Sequence, residues 1–102
     1  IYPREEWLKL AERLAKLPIS QANTRAFARL MLAGAMEAPV DKQGRVMLPE
    51  YLRTYAGLKR PIVFAGLYNR VEVWDEQTWG TYRGQTERSS TNIAEALGEL
   101  GV

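Results

Sequence analysis

Asp41 and Arg45 stand four positions apart in the polar run Asp41-Lys42-Gln43-Gly44-Arg45, between two short stretches of alternating polarity. An Asp at the head of a turn accepts hydrogen bonds from the backbone amides just beyond it, and Gly44 supplies the positive φ that a tight reversal needs. A guanidinium leaving a turn fixed in this way points in a set direction. Its planar fork fits the O6 and N7 of a guanine, or a pair of phosphate oxygens. Lys42 and Gln43, at the tip, suit a phosphate contact and a base-edge or sugar contact respectively. Arg53 and Lys59 suit phosphates, contacts that orient a protein on a duplex without reading its sequence. The same spacing also serves a plain hairpin-closing ion pair, which contributes little at a surface.

The charge distribution favours a polyanion near this turn. Net charge over the 102 residues is only +2, but residues 1–40 hold +2, residues 41–70 hold +4 and residues 71–102 hold −4. The basic middle comprises Lys42, Arg45, Arg53, Lys59, Arg60 and Arg70, set near turns and helix ends where long cations can face outward. Other chemistry is sparse. With no His and no Cys, disulfides, thiolate nucleophiles, histidine bases and the usual zinc sets are all excluded. Glu5-Glu6 and Asp75-Glu76 are sequence neighbours, which point apart on a helix, so no paired-carboxylate site can be named. The expectation is a non-enzyme without cofactor, metal or small-molecule substrate. No apolar run approaches the roughly 18 residues that would span a membrane, and the absence of Cys suits a reducing cytoplasm.

The elements that must hold these residues follow from periodicity. Pro3 opens a helix whose apolar face is Trp7, Leu10, Ala11, Leu14 and Leu17, stopped by Pro18. Ser20 is a fitting N-cap for a second helix with the stripe Ala26, Phe27, Leu30 and Ala33, ending at Gly34. The period then changes to two, predicting a strand over 36–40, a turn at 41–44 and a returning strand over 45–48. Pro49 starts a short helix with Leu52, Tyr55 and Ala56 on one face, closed by Gly57 and Leu58 as a C-cap with its hydrophobic contact. A buried-type strand over 62–67, a turn at Tyr68-Asn69-Arg70 and a partner strand over 71–74 follow. Asp75 caps a helix through Trp79 and Tyr82, 85–91 reads as a linker, and Asn92 with Glu95 opens a last short helix.

An internal echo accompanies this pattern. Ile1-Tyr2-Pro3 with Trp7 matches Val73-Trp74-Asp75 with Trp79 at an offset of 72 residues. Such an echo predicts two copies of one unit, the body of the first lying upstream of Ile1.

The run Val40 to Pro49 with Leu52-Arg53 resembles the swapped-hairpin DNA-binding half-domain of the AbrB class. Extended by Tyr55-Ala56-Gly57-Leu58 and Asn69 to Trp74, it resembles the second repeat of the MraZ family, and Tyr2-Pro3 to Ala35 resembles that family's inter-repeat region. The resemblance covers about residues 1–83. It implies an α+β fold, half of a swapped-hairpin β-barrel with an added helical hairpin. Residues 1–35 would close an upstream repeat and form the hairpin, 36–84 would be the AbrB-like repeat, and 85–102 a linker and helical tail. It further implies a cytoplasmic, nucleoid-associated regulator that assembles into a ring. That regulator would bind short direct repeats in double-stranded DNA at the promoter of a division and cell-wall gene cluster, and the guanidinium chemistry of Arg45 makes guanine-rich repeats the expected partner. The family's DNA-contacting Asp and Arg fall on Asp41 and Arg45. The first repeat's copy of that signature is absent here, so an apolar face is expected to self-pair or to meet a longer chain. A second reading stays open, a protein-interaction or oligomerisation module that does not touch DNA.

Overall fold

A computed structural model describes residues 1–18 and 20–101. The elements run α1 (Arg4–Ala15), α2 (Ala22–Gly34), α3 (Glu50–Tyr55), β1 (Ile62–Gly66), β2 (Val71–Asp75), α4 (Glu76–Arg88) and α5 (Ser90–Glu99), an α+β arrangement. Strands β1 and β2 pair antiparallel, from Ile62 opposite Asp75 to Gly66 opposite Val71. α4 packs on this sheet, α1 on α2, and α5 on α4.

The apolar face of α1 turns inward as its spacing predicts, and Leu14, 5% exposed, is the one buried hydrophobic side chain among the described residues. α2 behaves differently. Thr24, Arg25, Ala28 and Met31 form its less exposed side, whereas the stripe of Ala26, Phe27, Leu30 and Ala33 lies open to solvent. Phe27 and Leu30 are about half exposed, so this apolar face has no partner within the described chain. Its start also differs, since Gln21 occupies the N-cap, without a side-chain cap bond, where Ser20 was expected.

The predicted hairpin of 36–40 and 45–48 forms its turn but no strands. The backbone closes through Asp41 N–H to the Arg45 carbonyl at 2.9 Å, and pairing stops there. A lone two-stranded hairpin is marginal in water unless a third strand or a helix covers one face. Here Met36, Val40 and Met47 stand 57–84% exposed, so that cover is missing among the described residues. β1 departs from the fully buried strand its composition suggests. Val63 and Ala65 are half-buried, while Phe64 on the other face is 63% exposed.

Local signals hold closely at the C-cap of α3. Gly57 takes φ +62°, Leu58 N–H reaches the Arg53 carbonyl at 2.9 Å and Gly57 N–H the Thr54 carbonyl at 3.1 Å. These are the two bonds of a Schellman motif, which satisfy carbonyls left open at the helix end. The 85–91 linker, in contrast, is mostly helix. α4 runs on to Arg88, and only Ser89 separates it from α5, which begins two residues before the expected Asn92.

The echo is repeated in the geometry. α1 and α4 begin 72 positions apart. Tyr2 and Trp7 sit 6.2 Å apart between ring centroids at 59°, and Trp74 and Trp79 sit 5.3 Å apart at 62°. Ile1 and Val71 exchange both backbone hydrogen bonds, at 2.6 and 2.8 Å, as directly opposed residues of an antiparallel pair do. Ile1 therefore lies along the free edge of β2, so each echo segment contributes an extended residue, an aromatic pair and a helix start.

Candidate nucleic-acid interface

The 41–45 turn is built around one carboxylate. Asp41 Oδ1 accepts the backbone N–H groups of Gln43 and Arg45, each at 2.8 Å, and Oδ2 accepts Arg45 Nε–H at 3.0 Å. Two backbone bonds, Asp41 N–H to Arg45 and Gly44 N–H to Asp41, close the same five residues. Gly44 takes φ +78°, a conformation in which a β-branched residue would be strained.

The two uses of the Asp41–Arg45 spacing turn out to be compatible. The ion pair is present, but it engages Nε alone. The Arg45 side chain remains 73% exposed, and its two Nη groups make no hydrogen bond or ion pair among the described residues. An arginine held at Nε and open at Nη1 and Nη2 presents its end-on fork, the geometry suited to two acceptors side by side. Lys42 and Gln43 lie exposed at the tip of the same turn.

Arg53 and Lys59 form a second group. They line one open cleft of about 400 Å³ with Glu50, Thr54, Gly57 and Leu58, next to the Schellman turn. Two cations against the single carboxylate of Glu50 leave the cleft basic. Among the described residues no hydrogen bond or ion pair links this cleft to the 41–45 turn. Arg70, counted with the basic middle, is drawn away from it, with Nε 3.7 Å from Glu72 and Nη1 donating to Asn69 at 3.2 Å.

Sequence reasoning gave Asp75 only a capping role, and that role is present, since Asp75 Oδ2 accepts Thr78 N–H at 3.2 Å and the Thr78 hydroxyl at 3.3 Å. What it missed is that Oδ1 accepts Lys59 N–H at 3.1 Å, across 16 residues of chain. No local pattern signals so distant a bond. Asp75 is also the one buried polar side chain among the described residues.

Both aspartates are held below the ordinary carboxylate range. For Asp41 the Arg45 amide is the main cause, with the Arg45 side chain and the Gln43 amide adding to it. For Asp75 the Thr78 amide leads, followed by the Lys59 amide and the Thr78 hydroxyl, against an opposing effect of burial. Among the described residues no cluster of acidic side chains could hold a metal ion, and no helix is long and apolar enough to cross a membrane.

Residues 31–99 match the family described as "MraZ protein, putative antitoxin-like". Relatives named transcriptional regulator MraZ align along essentially the whole chain. The one from Natranaerobius thermophilus is 43% identical over all 102 residues, covering 71% of its own length. That from Halothermothrix orenii is 44% identical with the same coverage, and that from Acetivibrio thermocellus is 45% identical over 101 residues, again 71% of the relative. No solved structure matches. The chain belongs to the MraZ family.

A carboxylate with a lowered pKa favours the folded turn fully above its unfolded value, 3.8 for Asp41, and loses that effect as pH falls through the lower folded value. In an acid titration followed by NMR, the Gln43 and Arg45 amide protons should therefore move together with a midpoint below 3.8. A midpoint at or above that value would mean the carboxylate does not hold these amides.

Proposed function

We propose that this chain is a sequence-specific transcription regulator that binds double-stranded DNA through the 41–45 turn. The observation that carries the reading is the exposed Arg45 fork, fixed at Nε by Asp41 and, among the described residues, unpaired at both Nη groups. Preorganisation matters because a free arginine loses rotamer entropy on binding, whereas one already tethered loses less. Arg45 reads a guanine through O6 and N7, Lys42 and Gln43 add a phosphate and a base-edge or sugar contact, and Arg53 and Lys59 hold phosphates at the basic cleft. The names of the relatives support regulation of transcription.

One turn buries little area, so useful affinity requires several copies acting on successive sites. We assign the operator as guanine-rich direct repeats at the promoter of a division and cell-wall gene cluster, and the reader as a ring-like oligomer acting by occlusion or recruitment. The half-barrel is completed by swapped hairpins, which would give the exposed 36–48 segment its missing strand partners. The apolar stripe of α2 fits a contact between subunits, since an exposed helix face of this kind is commonly an interface. The place of action is the cytoplasm, on the nucleoid.

Arg45→Ala should weaken binding to a guanine-rich direct-repeat duplex by about 1–3 kcal/mol per engaged site, roughly 5- to 150-fold, and flatten the preference over scrambled DNA. Lys59→Ala should lower affinity for both duplexes equally. A gel-shift titration in which Arg45→Ala keeps the preference intact would identify a different reader. For assembly, Leu30→Glu on the open α2 stripe should lower the oligomer mass measured by native mass spectrometry. An unchanged mass would exclude this face from the contact.

A further inference from the structure

The cap of α4 needs one oxygen, yet the residue there spends two. Ser, Thr or Asn at Asp75 would satisfy the Thr78 amide. Burying a carboxylate, 7% exposed here, is costly unless its hydrogen bonds are made, so the second oxygen calls for a use of its own. That use is the backbone N–H of Lys59.

The segment carrying Lys59 is fastened along its length. Upstream, Leu58 N–H is bound to the Arg53 carbonyl, and downstream Glu76 N–H is bound to the Pro61 carbonyl at 3.2 Å. Asp75 supplies the middle fastening and joins the cleft-lining segment to the end of β2. With its amide bound to Asp75, Lys59 lines the same open cleft as Arg53. No ion pair holds either cation among the described residues.

We propose that Asp75 is a positioning residue for DNA-backbone binding, holding Lys59 at the wall of the basic cleft so that Lys59 and Arg53 together take a phosphodiester. This rests on the DNA-binding reading above and adds a residue that touches no DNA itself. Asp75 stands to Lys59 as Asp41 stands to Arg45, with one difference. Asp41 grips the side chain it directs and so fixes a base reader, whereas Asp75 grips only the backbone, enough for a phosphate contact.

The test separates capping from positioning. Asp75→Ser keeps a hydroxyl for the Thr78 amide but is too short, with its single oxygen, to reach Lys59 as well. On the full chain, the slope of log affinity against log salt should fall by about one, the amount one lost phosphate contact removes. Lys59→Ala should give the same fall, the double variant no further fall, and the far-ultraviolet circular dichroism and guanine preference should stay unchanged. A wild-type slope in Asp75→Ser, beside a lowered one in Lys59→Ala, overturns the proposal. So does a loss of guanine preference in Asp75→Ser, or a Lys59→Ala slope equal to wild type. Absence of DNA binding by the unsubstituted chain would instead remove the reading beneath it. One measurement needs no variant at all. In the wild-type chain the Lys59 and Thr78 amide protons should shift together in acid, and a Lys59 amide indifferent to that titration overturns the proposal equally.

Discussion

The hold of one carboxylate on the Gln43 and Arg45 amides and on the Arg45 side chain is the constraint on which the 41–45 turn depends. Asp41 supplies the acceptor that a β ladder would otherwise provide, taking the Arg45 amide on its side chain while its own amide binds the Arg45 carbonyl. The turn thus holds its shape where the flanking segments form no strands. Most of its hydrogen bonds are local, so its geometry depends little on what covers 36–40 and 45–48. The Arg45 fork proposed as the reader is therefore set by the turn itself.

The remaining structure divides into parts that satisfy themselves and parts that do not. α3 ends in a complete Schellman motif, and α4 starts on an aspartate cap and is anchored by the rings of Trp74, Trp79 and Tyr82, with centroids 5.1–6.3 Å apart. Aromatic contacts of this kind add about 0.5–1.5 kcal/mol each beyond the area they bury. Against these stand Met36, Val40, Met47 and Phe64, apolar and open, together with the outward stripe of α2. Apart from Phe64 on β1, this open surface flanks the 41–45 turn or lies on the helical hairpin, two places where the proposed function requires other chains.

Much of this was legible in the sequence where the deciding interactions are short-range. Asp41, Gly44, Gly57 and Asp75 each perform the turn or cap chemistry their types and neighbours indicate, and the inward face of α1 follows its periodicity. The 85–91 segment misled because Ser and Thr suggested a linker. Once the aromatic anchor fixes the first turns of α4, adding residues to a nucleated helix is easy, and Arg83 with Glu87 at 3.5 Å supports the extension. Two features were beyond local reading. The expected strands at 36–48 do not form because the described chain places no partner there, and the Lys59–Asp75 bond joins residues whose sequence surroundings say nothing of each other. Arg53 and Lys59 could be named as cations, but that they share a cleft is a tertiary fact.

The central claim is that the free Nη edge of Arg45 reads guanine. It is tested most directly with direct-repeat duplexes in which guanine is replaced by 7-deazaguanine, which pairs normally but lacks the N7 acceptor. The account predicts weaker binding by the unsubstituted chain and no further loss when Arg45 is already alanine. Equal binding to both duplexes would contradict it.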